Sequence, residues 1–183
     1  MLRKLFVSFI SLLILLSFTL FAQENEKEFL YVGVDKCKIC HMSSKIGKQY
    51  PIWKEGPHAN ALESLSSEKS MKFAKENGIE DPTKADQCLN CHATMATVDK
   101  NLIDPKGKLS MEEGVSCESC HGPGSEYRKM SIMKDHEKSL ANGLVLPTEE
   151  VCVTCHNEDN PFHKPFNYEE AVTKIQHPIP EKE

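Results

Sequence analysis

The chain has 183 residues, of which 39% are hydrophobic and 27% charged, and its formal net charge at pH 7 is −5. This composition is ordinary for a soluble globular protein, and it excludes a mainly disordered chain or a bundle of membrane-spanning helices. The acidic balance argues against a nucleic-acid-binding protein, which normally carries a basic patch. The sequence also contains eight cysteines and eight histidines, which point to a chain rich in cofactor or metal sites.

The start of the chain has the pattern of an export signal. Two basic residues precede the uncharged apolar stretch 5–22, and charged residues return at Glu24, as in a secretory signal peptide. Cleavage after Ala22 would leave a domain of residues 23–183 with a net charge of −7. The alternative is an uncleaved membrane anchor through residues 5–22, because that run approaches the ~20 apolar residues that a transmembrane helix needs. Either way we expect a periplasmic or otherwise exported protein.

The cysteines form four pairs with two residues inside each pair, and a histidine follows every pair directly. We call these runs motifs one to four: Cys37–His41, Cys88–His92, Cys117–His121 and Cys152–His156. C-x-x-C-H is the attachment motif of c-type haem. Side chains at positions i, i+3 and i+4 share one face of a helical turn, so two thiols can form thioethers to the haem while the imidazole binds its iron.

The motifs therefore predict four covalently bound haem c groups, with eight attachment residues and four proximal iron ligands. The expected attachment residues are Cys37, Cys40, Cys88, Cys91, Cys117, Cys120, Cys152 and Cys155. The expected proximal ligands are His41, His92, His121 and His156. Four disulfides, or zinc sites built from two cysteine pairs each, are the alternatives, but neither gives the four histidines a role.

Helix signals lie between the first two motifs. Pro57 suits the first position of a helix, and His58, Leu62 and Leu65 then share one helical face. Ser67 is predicted to cap a second short helix that ends near Gly78 and directs Met71 and Phe73 inward.

Turn residues and short helices also occupy the rest of the chain. Residues 99–108 are expected to form a loop, and Gly122 to end the turn of motif three. Ser125 is predicted to start a helix that runs towards Gly143, and Asn167 to open a last helix that ends before Pro178. Since no period-2 strand pattern is found, we expect a mainly α fold of short helices and long loops wrapped around four stacked c-type haems, with few or no strands.

Four histidines remain outside the motifs, which equals the number of expected haems. His58 and His177 have helical context, and we predict that they are distal iron ligands. His136 would share a face with Met133 in a continuous helix but would lie exposed in a first turn if Asp135 caps a separate helix. His136 and His163 are therefore further candidates for distal ligands, and a methionine sulfur is the alternative donor at an iron.

Several runs resemble the tetrahaem cytochrome c-554 family across nearly all of residues 23–183. The resemblance rests on Tyr31-Val32-Gly33 before motif one, Trp53 and His58-Ala59, the run Gly114–Ser125 around motif three, Cys155-His156-Asn157, and Ile175–Pro178. It implies electron transfer in the periplasm, the four proximal histidines named above, and distal roles for His58 and His177. Because distal ligands in such folds come from remote segments, His58 is expected to serve the haem of motif three.

An electron carrier that exchanges electrons with redox protein partners is the function we favour over an enzyme. One alternative is an enzyme or binder of nitric oxide, hydroxylamine or nitrite at an open haem. The other is a subunit of an extracellular cytochrome filament, which would require an oligomer.

Overall fold

The computed structural model describes residues 28–178, which fold into short helices joined by irregular chain. The α-helices are α1 Val34–His41, α2 Gln49–Glu55, α3 Ala61–Ser64, α4 Glu68–Glu76, α5 Asp86–His92, α6 Thr94–Thr97, α7 Cys117–His121, α8 Met130–Met133, α9 His136–Leu140, α10 Glu149–Val153 and α11 Tyr168–Ile175. Three 3-10 helices lie at Ser44–Ile46, Lys100–Leu102 and Met111–Glu113. The described residues contain no β-strand, only an isolated parallel bridge between Tyr31 and Ile103, so the predicted mainly α class is confirmed.

The polar residues expected to cap helices do so at three helix starts. Ser67 accepts a hydrogen bond from the Ser70 amide, which begins α4, and Asn167 accepts one from the Glu170 amide, which begins α11. Asp135 accepts from the amide of Lys138 and begins α9. Each side chain satisfies a backbone N–H that the first helical turn would otherwise leave without an acceptor.

Three predictions about these helices are wrong. No helix starts at Pro57, because residues 57–60 form a turn and α3 begins at Ala61. Ser125 does not start a helix towards Gly143. Its hydroxyl accepts a hydrogen bond from the remote Leu30 amide at 3.0 Å and therefore does not cap a helix. The region instead contains α8 and α9, separated by the Asp135 cap. Met71 does not point inward either, since 46% of its surface is exposed.

Glu118, inside motif three, joins the start of the described chain to the motifs. Its carboxylate is 1% exposed and accepts hydrogen bonds from the amides of Val32, Gly33 and Gly124 at 2.7 to 3.0 Å. Burial raises the pKa of Glu118, while these three donors lower it. Because a buried amide without an acceptor is costly, one side chain holds two backbone segments, at 32–33 and at Gly124, beside motif three.

Gly33 stands where the backbone requires glycine. Its φ of +81° lies in the left-handed region, and a Cβ there would lie 2.6 Å from the Leu109 nitrogen and 2.8 Å from Glu113 Oε1. The close approach that glycine permits brings residues 31–34 against the loop at 108–109 and the 3-10 helix at Met111–Glu113. The residues just before α1 are therefore packed tightly on both sides.

Apolar burial in the described part of the chain is limited and consists mostly of small clusters. One cluster joins Leu65, Leu89 and Ala93. Large apolar side chains such as Met130 and Leu146 remain 65% and 52% exposed. No helix among residues 28–178 is long and apolar enough to cross a bilayer, and the predicted signal at 1–22 with its anchor alternative at 5–22 lies outside the described residues.

Replacing Glu118 by Ala should lower the free energy of unfolding by about 3 kcal/mol, because three buried amides lose their acceptor. The matched control is Glu76→Ala, which removes an exposed carboxylate 3.9 Å from the Lys72 ammonium and should change stability by about 0.5 kcal/mol at most. Guanidinium unfolding followed by circular dichroism measures both. Equal effects of the two substitutions would show that Glu118 does not carry this role.

Candidate functional site

The four C-x-x-C-H motifs lie next to one another although they are distant in sequence. Helix α1, which carries motif one, packs against α7, which carries motif three. The Cys37 and Cys117 side chains are in hydrogen-bonding contact, and this contact, together with burial, raises the pKa of Cys37. The thiols of motifs one and three are therefore immediate neighbours.

The other motifs extend this arrangement. Burial and the nearby Cys155 thiol raise the pKa of Cys91 to about 11. Cys91 belongs to motif two and Cys155 to motif four, so these two motifs are neighbours. Burial and the nearby thiols of Cys152, Cys117 and Cys155 raise the pKa of Cys120 to about 11. Cys152 and Cys155 belong to motif four, so motif three lies close to motif four. The cysteines thus connect the motifs in the order one, three, four, two.

The cysteine and histidine of each motif are arranged by one helical turn, as the spacing predicted. Motifs one, two and three end α1, α5 and α7. In motif four α10 ends at Val153, but the amide of His156 still donates to the carbonyl of Cys152 at 3.0 Å. This i to i+4 bond preserves the helical turn through the histidine.

Three of the four motif histidines are oriented by a hydrogen bond at Nδ1. His41 Nδ1 lies 3.0 Å from Gln49 Oε1, His92 Nδ1 lies 2.6 Å from the Ala61 carbonyl, and His121 Nδ1 lies 3.1 Å from the Val145 carbonyl. A carbonyl oxygen can only accept, so each Nδ1 is the protonated donor. This leaves Nε2 with a free lone pair, which is the usual arrangement of a metal-binding histidine and its partner.

His156 is held by packing. Its ring stacks on Phe166, with the ring centroids 5.0 Å apart and an angle of 17° between the planes. The two residues are separated by irregular chain, so no helical or strand spacing in the sequence indicates that their rings meet.

Two histidines outside the motifs face motif histidines. The ring centroids of His58 and His156 are 6.1 Å apart, and those of His121 and His177 are 5.8 Å apart. Imidazole nitrogens bind metals at about 2 Å, so two imidazoles on opposite sides of one ion have centroids about 6 Å apart. Both distances fit a pair of axial ligands.

The electrostatics of these pairs favour neutral imidazoles, the form that binds metals. Burial, followed by the neighbouring His156, lowers the pKa of His58. Burial, followed by His121 and His41, lowers the pKa of His177. The Nδ1 atom of His177 is buried and has no hydrogen-bond partner within residues 28–178.

The structure does not bring His58 to motif three, the motif that it was expected to serve, and its ligand role stays a prediction. His58 faces His156 of motif four, and His177 faces His121 of motif three. The reason is a long-range contact: the amide of Val115 donates to the His58 carbonyl at 3.0 Å, and this fixes the His58 segment beside the chain that enters motif three, with its ring directed towards motif four.

The remaining two candidates are placed differently. His136 is an exposed residue at the start of α9, which is the Asp135-capped alternative described above. His163 is exposed in a turn, where its amide donates to the Asn160 carbonyl. The structure brings neither ring into contact with a motif histidine in the described part of the chain, and their ligand roles stay predictions.

The donor set of the motifs fits c-type haem. All eight cysteines carry free thiols and stand in pairs beside a histidine, and at motifs one, two and three the Nε2 of that histidine is available. Across residues 28–178, no group of three or more histidine, cysteine or acidic side chains is arranged to hold a metal ion, so the zinc alternative finds no ligand cluster there.

Sequence reasoning missed three side chains near the motifs. Gln49 orients His41, and its Nε2 donates to the Ile46 carbonyl and, at 3.3 Å, to the Pro178 carbonyl beside His177. Glu118 was visible only as part of the family-like run around motif three. Glu113, 8% exposed, gave no signal, because its burial depends on residues about 80 positions earlier.

Comparisons with known proteins agree with this geometry. A family model described as "Cytochrome c554 and c-prime" matches residues 36–122, which contain motifs one to three. Cytochrome c-554 of Nitrosomonas europaea is 32% identical over 146 residues, and the match covers 69% of this chain and 57% of that protein. The chain thus spans little more than half the length of this curated relative.

A solved structure shares the fold. The reduced state of cytochrome c554 from Nitrosomonas europaea superposes with a TM-score of 0.50 at 24% sequence identity, over 81% of this chain and 79% of that one. Cytochromes c554 are tetrahaem c-type cytochromes whose haem is covalently bound. The family model and the curated relative thus resemble this chain in sequence, and the solved structure resembles it in fold; all three are cytochromes c554.

Proposed function

We propose that this chain is a periplasmic c-type cytochrome that carries electrons between redox protein partners, with haem attached at all four motifs. The adjacency of the motifs in the order one, three, four, two carries the proposal, because it arranges four attachment sites in a continuous row. Each haem supplies one iron that takes up and releases a single electron. The protein's part is to attach, orient and tune the haems.

The residues divide this work between them. The eight motif cysteines would hold the haems through thioether bonds, and each of the four motif histidines would bind one iron. Gln49 and the carbonyls of Ala61 and Val145 orient three of those rings. His58 would be a second iron ligand at motif four, and His177 would be one at motif three.

The compartment and the partners follow from the sequence features. We propose that residues 1–22 direct export and that residues 23–183 form the cytochrome domain, since thioether attachment is completed outside the cytoplasm. A partner that docks on this acidic chain would present lysine or arginine side chains, because complementary charge steers association.

Binding of a small nitrogen oxide at an open haem is the second candidate function. It is favoured by one observation. In the described part of the chain, no second imidazole faces the ring of His41 or His92 in the way that His58 faces His156 and His177 faces His121. An open iron at motif one or motif two would take a diatomic ligand when reduced.

Covalent attachment predicts the mass of the denatured protein. The mature polypeptide should retain four haems after extraction with acidified solvent, and Cys88→Ser should weaken or remove one attachment without affecting the other three. Mass spectrometry of the intact denatured chain measures this. A mass equal to the bare polypeptide would contradict the proposal.

The ligand assignments predict unequal effects of histidine substitutions. His58→Ala and His177→Ala should each open one iron, which becomes high-spin and binds about one further carbon monoxide per chain when reduced, because the axial donor is lost. His163→Ala is the matched control and should leave spin state and carbon monoxide binding unchanged. Electron paramagnetic resonance and carbon monoxide titration measure both properties.

The same titration decides between the two candidate functions. Wild-type protein that binds no carbon monoxide has four six-coordinate irons and supports the electron carrier. Binding of one or two equivalents by the wild type supports the open haem. If His163→Ala opens an iron and His58→Ala does not, the assignment of His58 is wrong.

Gln49→Leu should raise the potential of the haem at motif one by about 60 mV. Without its acceptor, His41 becomes a weaker donor to ferric iron; such second-sphere changes alter metal binding about tenfold or more, and tenfold corresponds to about 59 mV for one electron. Gln87→Leu, on the exposed side of α5, is the control. Spectroelectrochemical titration is the measurement, and equal potentials in both variants would contradict the role of Gln49.

A further inference from the structure

Glu113 is a buried acid that the proposed electron transfer does not use. It is 8% exposed and lies in the 3-10 helix Met111–Glu113, packed against the start of α1. Its Oε1 accepts a hydrogen bond from the Val34 amide at 3.2 Å. Its Oε2 is buried without a hydrogen-bond partner in the described part of the chain.

An ionised carboxylate with an unpartnered buried oxygen is costly, and protonation removes this cost. Burial raises the pKa of Glu113 to about 7, and the carboxylates of Glu118 and Asp35 act in the same direction, while the amides of Val34 and Ser110 oppose it. The group therefore exchanges its proton near neutral pH, unlike an exposed glutamate.

The position of Glu113 relates it to two attachment sites. It interacts electrostatically with the thiols of Cys37 and Cys117, which form the first thioether positions of motifs one and three. Reduction of an iron removes one positive charge from the haem attached there. A nearby carboxylate is then less well stabilised in its ionised form and binds a proton more tightly.

We propose that Glu113 is a proton-binding site coupled to reduction of the haems at motifs one and three. One electron delivered by a reduced partner converts one ferric iron to ferrous iron. One proton from solvent forms an O–H bond on the Glu113 carboxylate, and both are released on reoxidation. This inference rests on the proposed attachment of haem at these two motifs.

Other charged and titratable groups surround Glu113 and must be separated from it in any test. They are Asp35 and Cys37 on α1, Cys117 and Glu118 on α7, Lys108 in the preceding loop, where it lies 3.7 Å from Asp35, and Glu112 in the same 3-10 helix. Thioether formation removes the titration of the two cysteines. Glu118 accepts three amide hydrogen bonds, whereas Glu113 has an oxygen without a partner, so Glu113 is the better proton acceptor.

Proton uptake on reduction makes the potential depend on pH. Below the pKa of the oxidised state both redox states are protonated, and the potential is constant. Between it and the higher pKa of the reduced state, only the reduced state binds the proton, so the potential falls as pH rises, by at most about 59 mV per tenfold change in proton concentration for one electron. The decrease should begin near pH 7.

The test is potentiometric titration of the haem-loaded protein from about pH 5 to about pH 9, a range that brackets the expected transition. In the wild type, two of the four potentials should fall above neutral pH. In Glu113→Gln these two should become independent of pH, because the amide cannot take up the proton. Glu112→Gln, one residue away and exposed, is the matched control and should keep the wild-type slope.

A slope that persists in Glu113→Gln, or one that disappears in Glu118→Gln instead, would overturn the proposal. A second measurement needs no variant: on reduction, the infrared difference spectrum of the wild type should lose a carboxylate band and gain a protonated carboxyl band. Its absence at neutral pH would also overturn the inference. Haem content separates the two proposals, since four haems without pH dependence contradict only this inference, whereas missing haem contradicts the proposed function.

Discussion

The carboxylate of Glu118 is the interaction on which the arrangement of the motifs depends. Glu118 stands between the two cysteines of motif three in the sequence. Its carboxylate accepts hydrogen bonds from the amides of Val32 and Gly33, just before motif one. The same side chain also accepts a hydrogen bond from the Gly124 amide, just after motif three. Motifs one and three are therefore neighbours because one buried acid supplies the acceptors that both adjoining backbone segments need.

This arrangement explains how a chain with so little apolar burial holds a defined fold. The described residues bury few large apolar side chains, and the segments between motifs are joined by hydrogen bonds to backbone groups. Covalently attached haem adds a rigid apolar surface at each motif, which a small protein can use in place of a larger core. The local sequence sets each attachment turn, and long-range polar contacts set the order of the turns.

Features that depend on neighbouring residues could be predicted from the sequence. The helical turns at the motifs and the caps at Ser67 and Asn167 follow from spacing and residue type. Features that depend on remote contacts could not. Ser125 is a good cap by sequence, yet its hydroxyl binds the Leu30 amide; the ring of His58 faces motif four because residues beyond position 110 position its backbone. Likewise, nothing in the sequence near Glu113 indicates its burial.

The hydrogen bonds at the motif histidines differ in how readily evolution can alter them. His92 and His121 donate to the backbone carbonyls of Ala61 and Val145. Every amino acid has a backbone carbonyl, so a substitution at Ala61 or Val145 keeps the acceptor unless it moves the chain. His41 donates to the side chain of Gln49, which one codon change can replace. Motif one stands at one end of the row of motifs. Mutation of Gln49 can therefore adjust motif one alone, so descendants of this protein could be matched to a new partner at that end of the row while motifs two and three keep the hydrogen bonds of their histidines.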